Sequence, residues 1–142
     1  MKTSKIFLII FAGLLTILYS CELLDDPNNL SIAERLEGRW NVIENNPYKS
    51  AKDAFEVYID ISPIDSNTIL IDKFFGLESG SAYATISGMT LTLPTQALSG
   101  GFDIYGSGTI ASGYNKITWR YFVDDGSGYW SEINSIYTKL DY

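Results

Sequence analysis

From Trp40 onward, apolar and polar residues alternate with a period of two, in short runs that return about every dozen residues. That rhythm restricts the chain to an all-β architecture. Eight runs are predicted as strands, over residues 39–45, 54–62, 67–75, 81–86, 89–93, 101–111, 116–124 and 129–140. Between them, Asp65-Ser66-Asn67, Ser87-Gly88, Ser112-Gly113-Tyr114-Asn115 and Asp125-Gly126-Ser127-Gly128 supply the asparagines and glycines that tight reversals need. Consecutive hairpins make an up-and-down meander. Along the runs, Phe55, Val57, Ile59 and Ile61 oppose Glu56, Tyr58 and Asp60, and Ile117, Trp119, Tyr121 and Val123 oppose Thr118, Arg120 and Asp124. Eight antiparallel strands with one apolar and one wet face can pack as two sheets or close on themselves, and closure removes both vulnerable edges. The predicted fold is therefore an eight-stranded antiparallel up-and-down barrel.

A short helix comes first. Ser31 has the character of an N-cap, Glu34 stands at the capping-box spacing, and Gly38 ends the helix. Upstream, Lys2 and Lys5 precede fourteen uncharged residues, 6–19, and then Ser20-Cys21. A charged start, a short apolar stretch and a small residue at the cut site make a signal peptide, too short for a comfortable membrane span. Leu18-Tyr19-Ser20-Cys21 resembles a bacterial lipobox. The resemblance implies that Cys21 carries a lipid, that this lipid is the membrane anchor, and that the protein is an outer-membrane lipoprotein. Glu22, Asp25 and Asp26 then either resemble an export signal to the cell surface or form a solvated linker. The expected organisation is a signal peptide over 1–20, a lipidated tether over 21–30 and one barrel domain over 31–142.

Cys21 is the only cysteine, so packing alone must stabilise the domain. Two of the ten basic residues leave with the signal peptide and all 17 acidic residues stay, giving a mature charge of −9. That sign excludes ordinary nucleic-acid binding, which needs cations to replace counterions. The chain has no histidine, so the commonest general base, the serine triad and the usual zinc ligands are missing. Glu56 and Asp60 share a strand face roughly 13 Å apart, beyond the ~5–9.5 Å of glycosidase carboxylate pairs. Asp125-Gly126 and Glu132 match the second half of a calcium loop, but Tyr121 and Val123 fall where its first ligands belong, so a hairpin is the better account. No enzyme activity, cofactor or metal is expected.

The capped helix followed by Gly38-Arg39-Trp40 resembles the glycine-x-tryptophan start of lipocalins. Leu36-Glu37-Gly38-Arg39-Trp40-Asn41-Val42, Asn67-Thr68-Ile69-Leu70-Ile71, Tyr83-Ala84-Thr85-Ile86-Ser87-Gly88, Lys116-Ile117-Thr118-Trp119 and Tyr137-Thr138-Lys139 extend it over residues 31–140. They resemble the small lipocalin-like lipoproteins of diderm bacteria. The resemblance implies that a basic side chain near the end of the last strand packs on Trp40 and closes the barrel, Lys139 by position, with Arg120 a rival. Candidate ligand contacts are Trp40, Phe102, Trp119 and Tyr121, inward by alternation. Gly106 and Gly108 share that face and leave room either for a ligand or for a neighbouring tryptophan. Two function classes follow: a lipid-anchored, non-enzymatic binding protein of the cell envelope that takes up a small apolar ligand, or a filled barrel that meets an envelope or host protein.

Overall fold

The computed structural model describes residues 29–48 and 54–140; the predicted signal peptide, Cys21 and the predicted tether up to residue 28 lie outside the described residues. The capping box forms as its spacing predicts: the Ser31 hydroxyl accepts from the Glu34 amide at 3.2 Å, and the Ser31 amide donates to the Glu34 carboxylate at 2.6 Å. It starts helix α1 (Ile32–Leu36), which buries Ala33 and Leu36. The chain enters the first strand through Gly38 at φ 126°, a conformation that L side chains rarely adopt.

Eight strands follow: β1 (Gly38–Glu44), β2 (Phe55–Ile61), β3 (Thr68–Asp72), β4 (Ser81–Ser87), β5 (Thr90–Leu98), β6 (Phe102–Ile110), β7 (Lys116–Asp124) and β8 (Ser131–Lys139). Each pairs antiparallel with its predecessor, and β8 returns to β1 with Trp40 opposite Lys139, Val42 opposite Tyr137 and Glu44 opposite Ser135. The result is a closed lipocalin-like barrel. Its core is apolar, with Glu44 and Ser135 buried beside it, and Ile43, Tyr105 and Ile136 are among the large apolar side chains left exposed. Helix α1 and the β2–β3, β4–β5 and β6–β7 connections gather at one end. The β3–β4, β5–β6 and β7–β8 connections form the other.

Two segments depart from the predicted runs. The run over 67–75 is not one strand: β3 stops at Asp72, and Phe74–Gly76 forms a 3-10 turn. Lys73 and Phe75 take left-handed φ values of 61° and 59°, and the turn buries Phe74 and Phe75. An apolar Phe-Phe pair fits the end of a strand buried on both faces as well as a turn that folds both rings inward, so the pattern could not separate the two. The run over 89–93 is longer than predicted. Strand β5 continues through Pro94 to Leu98, with its register to β6 shifting between Leu93 and Gln96. Pro94 cannot donate to a ladder, and the Gln96 side chain takes over: its amide oxygen accepts from the Tyr83 N–H at 2.9 Å, and its Nε2 donates to the Tyr83 carbonyl at 2.8 Å.

Candidate functional site

At the helix end, Trp40 is fully buried and its indole N–H donates to the Leu36 carbonyl at 2.8 Å. Lys139 places its Nζ 5.8 Å from the Trp40 ring centroid and donates to the Arg35 carbonyl at 2.6 Å. Arg120 lies elsewhere, on the outer face. Its guanidinium makes two 3.0 Å hydrogen bonds to the Glu132 carboxylate.

The later strands build the aromatic wall. Trp119 and Tyr121 point inward from β7 and are fully buried, directly across from Gly108 and Gly106 of β6. A Cβ at Gly108 would stand 2.7–2.9 Å from the Trp119 ring, and one at Gly106 would stand 2.5 Å from Tyr121. The room over Gly108 is therefore taken by the Trp119 ring, and that over Gly106 by the β7 backbone at Arg120 and Tyr121. Phe74 drops in beside both, 5.0 Å from the Tyr121 ring and 6.4 Å from the Trp119 ring. Phe102 is only half-buried and stands at the far rim, with Phe75 at 5.4 Å and Tyr48 at 5.8 Å. Of the four candidate contacts, the fold joins Trp119 with Tyr121, and leaves Trp40 at the helix end and Phe102 at the rim.

Sequence reasoning did not single out the polar groups on the same inner surface. Glu44 is only 4% exposed; its carboxylate accepts from the Tyr121 hydroxyl at 2.8 Å and from Asn46 Nδ2 at 2.9 Å. Burial pushes the Tyr121 and Tyr137 hydroxyls well above the ordinary tyrosine pKa, and the charge of Glu44 pushes both in the same direction. Ser135 is buried as well, opposite Glu44. The signal for Glu44 was its parity with Trp40 and Val42 on β1.

Outside, Tyr105 and Phe122 stack at 5.0 Å and 16°, Trp130 meets Tyr105 edge-on at 4.9 Å, and Arg120 covers Phe122 at 5.4 Å. A depression of about 260 Å³ crosses β7, β8 and β1, between the half-exposed Ile43 and Ile136. The Asp124–Gly128 segment is a turn in which Asp124 Oδ1 accepts from the Gly126 and Gly128 amides, both at 3.0 Å. Glu132 faces Arg120 rather than this turn. Among the described residues no three metal-ligating side chains cluster, and no helix is long and apolar enough to cross a membrane. No protein-family model matches the chain, and no curated protein matches it.

Proposed function

We propose that the protein is an envelope lipoprotein, anchored in the outer membrane through Cys21, whose barrel is a scaffold presenting its outer surface to another envelope or host protein, without catalysis. The observation that carries this reading is the occupied inner wall: the Trp119 ring fills the space over Gly108, the β7 backbone closes on Gly106, and Phe74 packs against the Trp119 and Tyr121 rings. The outer face meanwhile exposes aromatic and aliphatic side chains around Tyr105 and Ile136. A photo-crosslinking residue at Ile136 or Tyr105 in the membrane-bound protein should give one discrete adduct, and the same residue at an outward position on β3 should give none. Stoichiometric binding of an apolar fluorescent probe by the wild type, quenching Trp119, would overturn the reading. The anchor has its own test: a traceable fatty acid should label the wild type and not Cys21→Ser.

A second reading rests on the left-handed Lys73 and Phe75, which make the turn that carries Phe74 a strained one. On that reading a small apolar guest displaces the Phe74–Phe75 rings and stacks on Trp119 and Tyr121. Phe74→Ala should then bind the apolar probe more tightly than the wild type does.

A further inference from the structure

Nearly every buried polar side chain in a folded chain has a hydrogen-bond partner, and among the described residues the exceptions all fall on the paired strands β7 and β8. Ser135 of β8 lies directly opposite Glu44 on β1 and Trp119 on β7, and all three are buried. Tyr137, two residues further along β8 on the same face, brings its ring to 5.9 Å from Trp119. Trp119 Nε1, Ser135 Oγ and the Tyr137 hydroxyl are fully buried, and none of the three has a hydrogen-bond partner among the described residues. The neighbouring Tyr121 hydroxyl is already satisfied by Glu44. An indole N–H can only donate, so it calls for an acceptor, whereas the two hydroxyls can give and receive. Three dry polar groups on one pair of adjacent strands would weigh heavily on a marginally stable domain.

We propose that Trp119, Ser135 and Tyr137 form a buried binding site for a neutral oxygen ligand, which accepts from the indole and exchanges hydrogen bonds with the two hydroxyls. Neutrality follows from two neighbours: Glu44, paired with Ser135 across the β1–β8 seam, disfavours an anion, and the donor-only indole N–H of Trp119 disfavours a cation. An ordered water is the smallest occupant, and a small guest bearing a hydroxyl or carbonyl oxygen offers the same chemistry. The site holds whether or not the outer face meets a partner, because its three polar atoms are themselves buried.

The test uses indole-labelled protein, in which Trp119→Phe assigns the Trp119 N–H among the three tryptophans. Refolded from urea into plain buffer, the protein should show magnetisation transfer between this N–H and a long-lived water. Tyr137→Phe and Ser135→Ala, which keep the shape of the wall, should each melt roughly 4 °C or more below the wild type. If the refolded protein lacks the water signal while protein purified without unfolding carries an added small-molecule mass, the occupant is an organic oxygen ligand and the site stands. Absence of both signals overturns the site. So does a Tyr137→Phe protein that melts above the wild type, as removal of a truly unpaired hydroxyl would require.

Discussion

Trp40 is held from two sides, by the Leu36 carbonyl on its indole N–H and by Lys139 above its ring. Trp40→Ala should cost about 3–5 kcal/mol of stability in urea titrations, as large-to-small changes in full cores do. Lys139→Ala should cost less, because at 5.8 Å its ammonium sits near the outer limit of a cation–π contact and its firmer bond is to Arg35. Gly108→Ala should destabilise by about 1–3 kcal/mol on the same measurement, since the new methyl meets the Trp119 ring rather than open space. Alternation was enough to read Trp119, Tyr121 and the two glycines as one inner face. It could not say what filled the space between them, because a period of two gives the face of a residue and not its depth. Glu44 shows the opposite failure: its parity placed it inside, but carboxylates are rarely buried, and the hydroxyl that welcomes it comes from Tyr121, 77 residues away.

The strands were most legible where a hairpin announces its own turn chemistry, as Asp65 does by accepting from the Asn67 amide and the Thr68 hydroxyl. Where a segment depended on tertiary partners, the reading stopped short. Pro94 looks like the end of a strand, yet β5 passes it because Gln96 reaches back across the bulge to both backbone groups of Tyr83. Gln96→Ala removes three hydrogen bonds, two to Tyr83 and one to the Pro94 carbonyl, and should lower stability by about 1–3 kcal/mol, with amide exchange at Tyr83 accelerated ahead of the rest of β4. Phe74 and Phe75 were read as strand because only the barrel interior, assembled from distant strands, gives their rings a reason to turn inward.

Across the whole molecule, ionisation sets two limits on stability. Tyr121 and Tyr137 are raised above the ordinary value of 10.0, so their contribution is complete below that pH and fades as the solution becomes more alkaline. The urea midpoint should fall above pH 10, and Tyr137→Phe should flatten the fall. On the acid side, hydrogen bonds from Ser31, Asn67 and Ser127 and from the Arg120 guanidinium hold Glu34, Asp65, Asp125 and Glu132 below their usual values. Their contribution is present above the ordinary carboxylate range and disappears as pH drops through it, so the midpoint should fall there too.

The pairing of β1 with β8 also sets the order in which the molecule can assemble. Every other seam of the barrel joins neighbours in sequence and can zip as soon as its hairpin exists, but the last seam joins the two ends of the meander. Until residues 131–139 have emerged from a ribosome, β1 has only β2 beside it, and Glu44 and Val42 lack their β8 neighbours. Contacts so far apart in sequence make for slow, late commitment. A nascent chain of this kind stays pliable through most of its synthesis and locks in a single step when its final strand arrives.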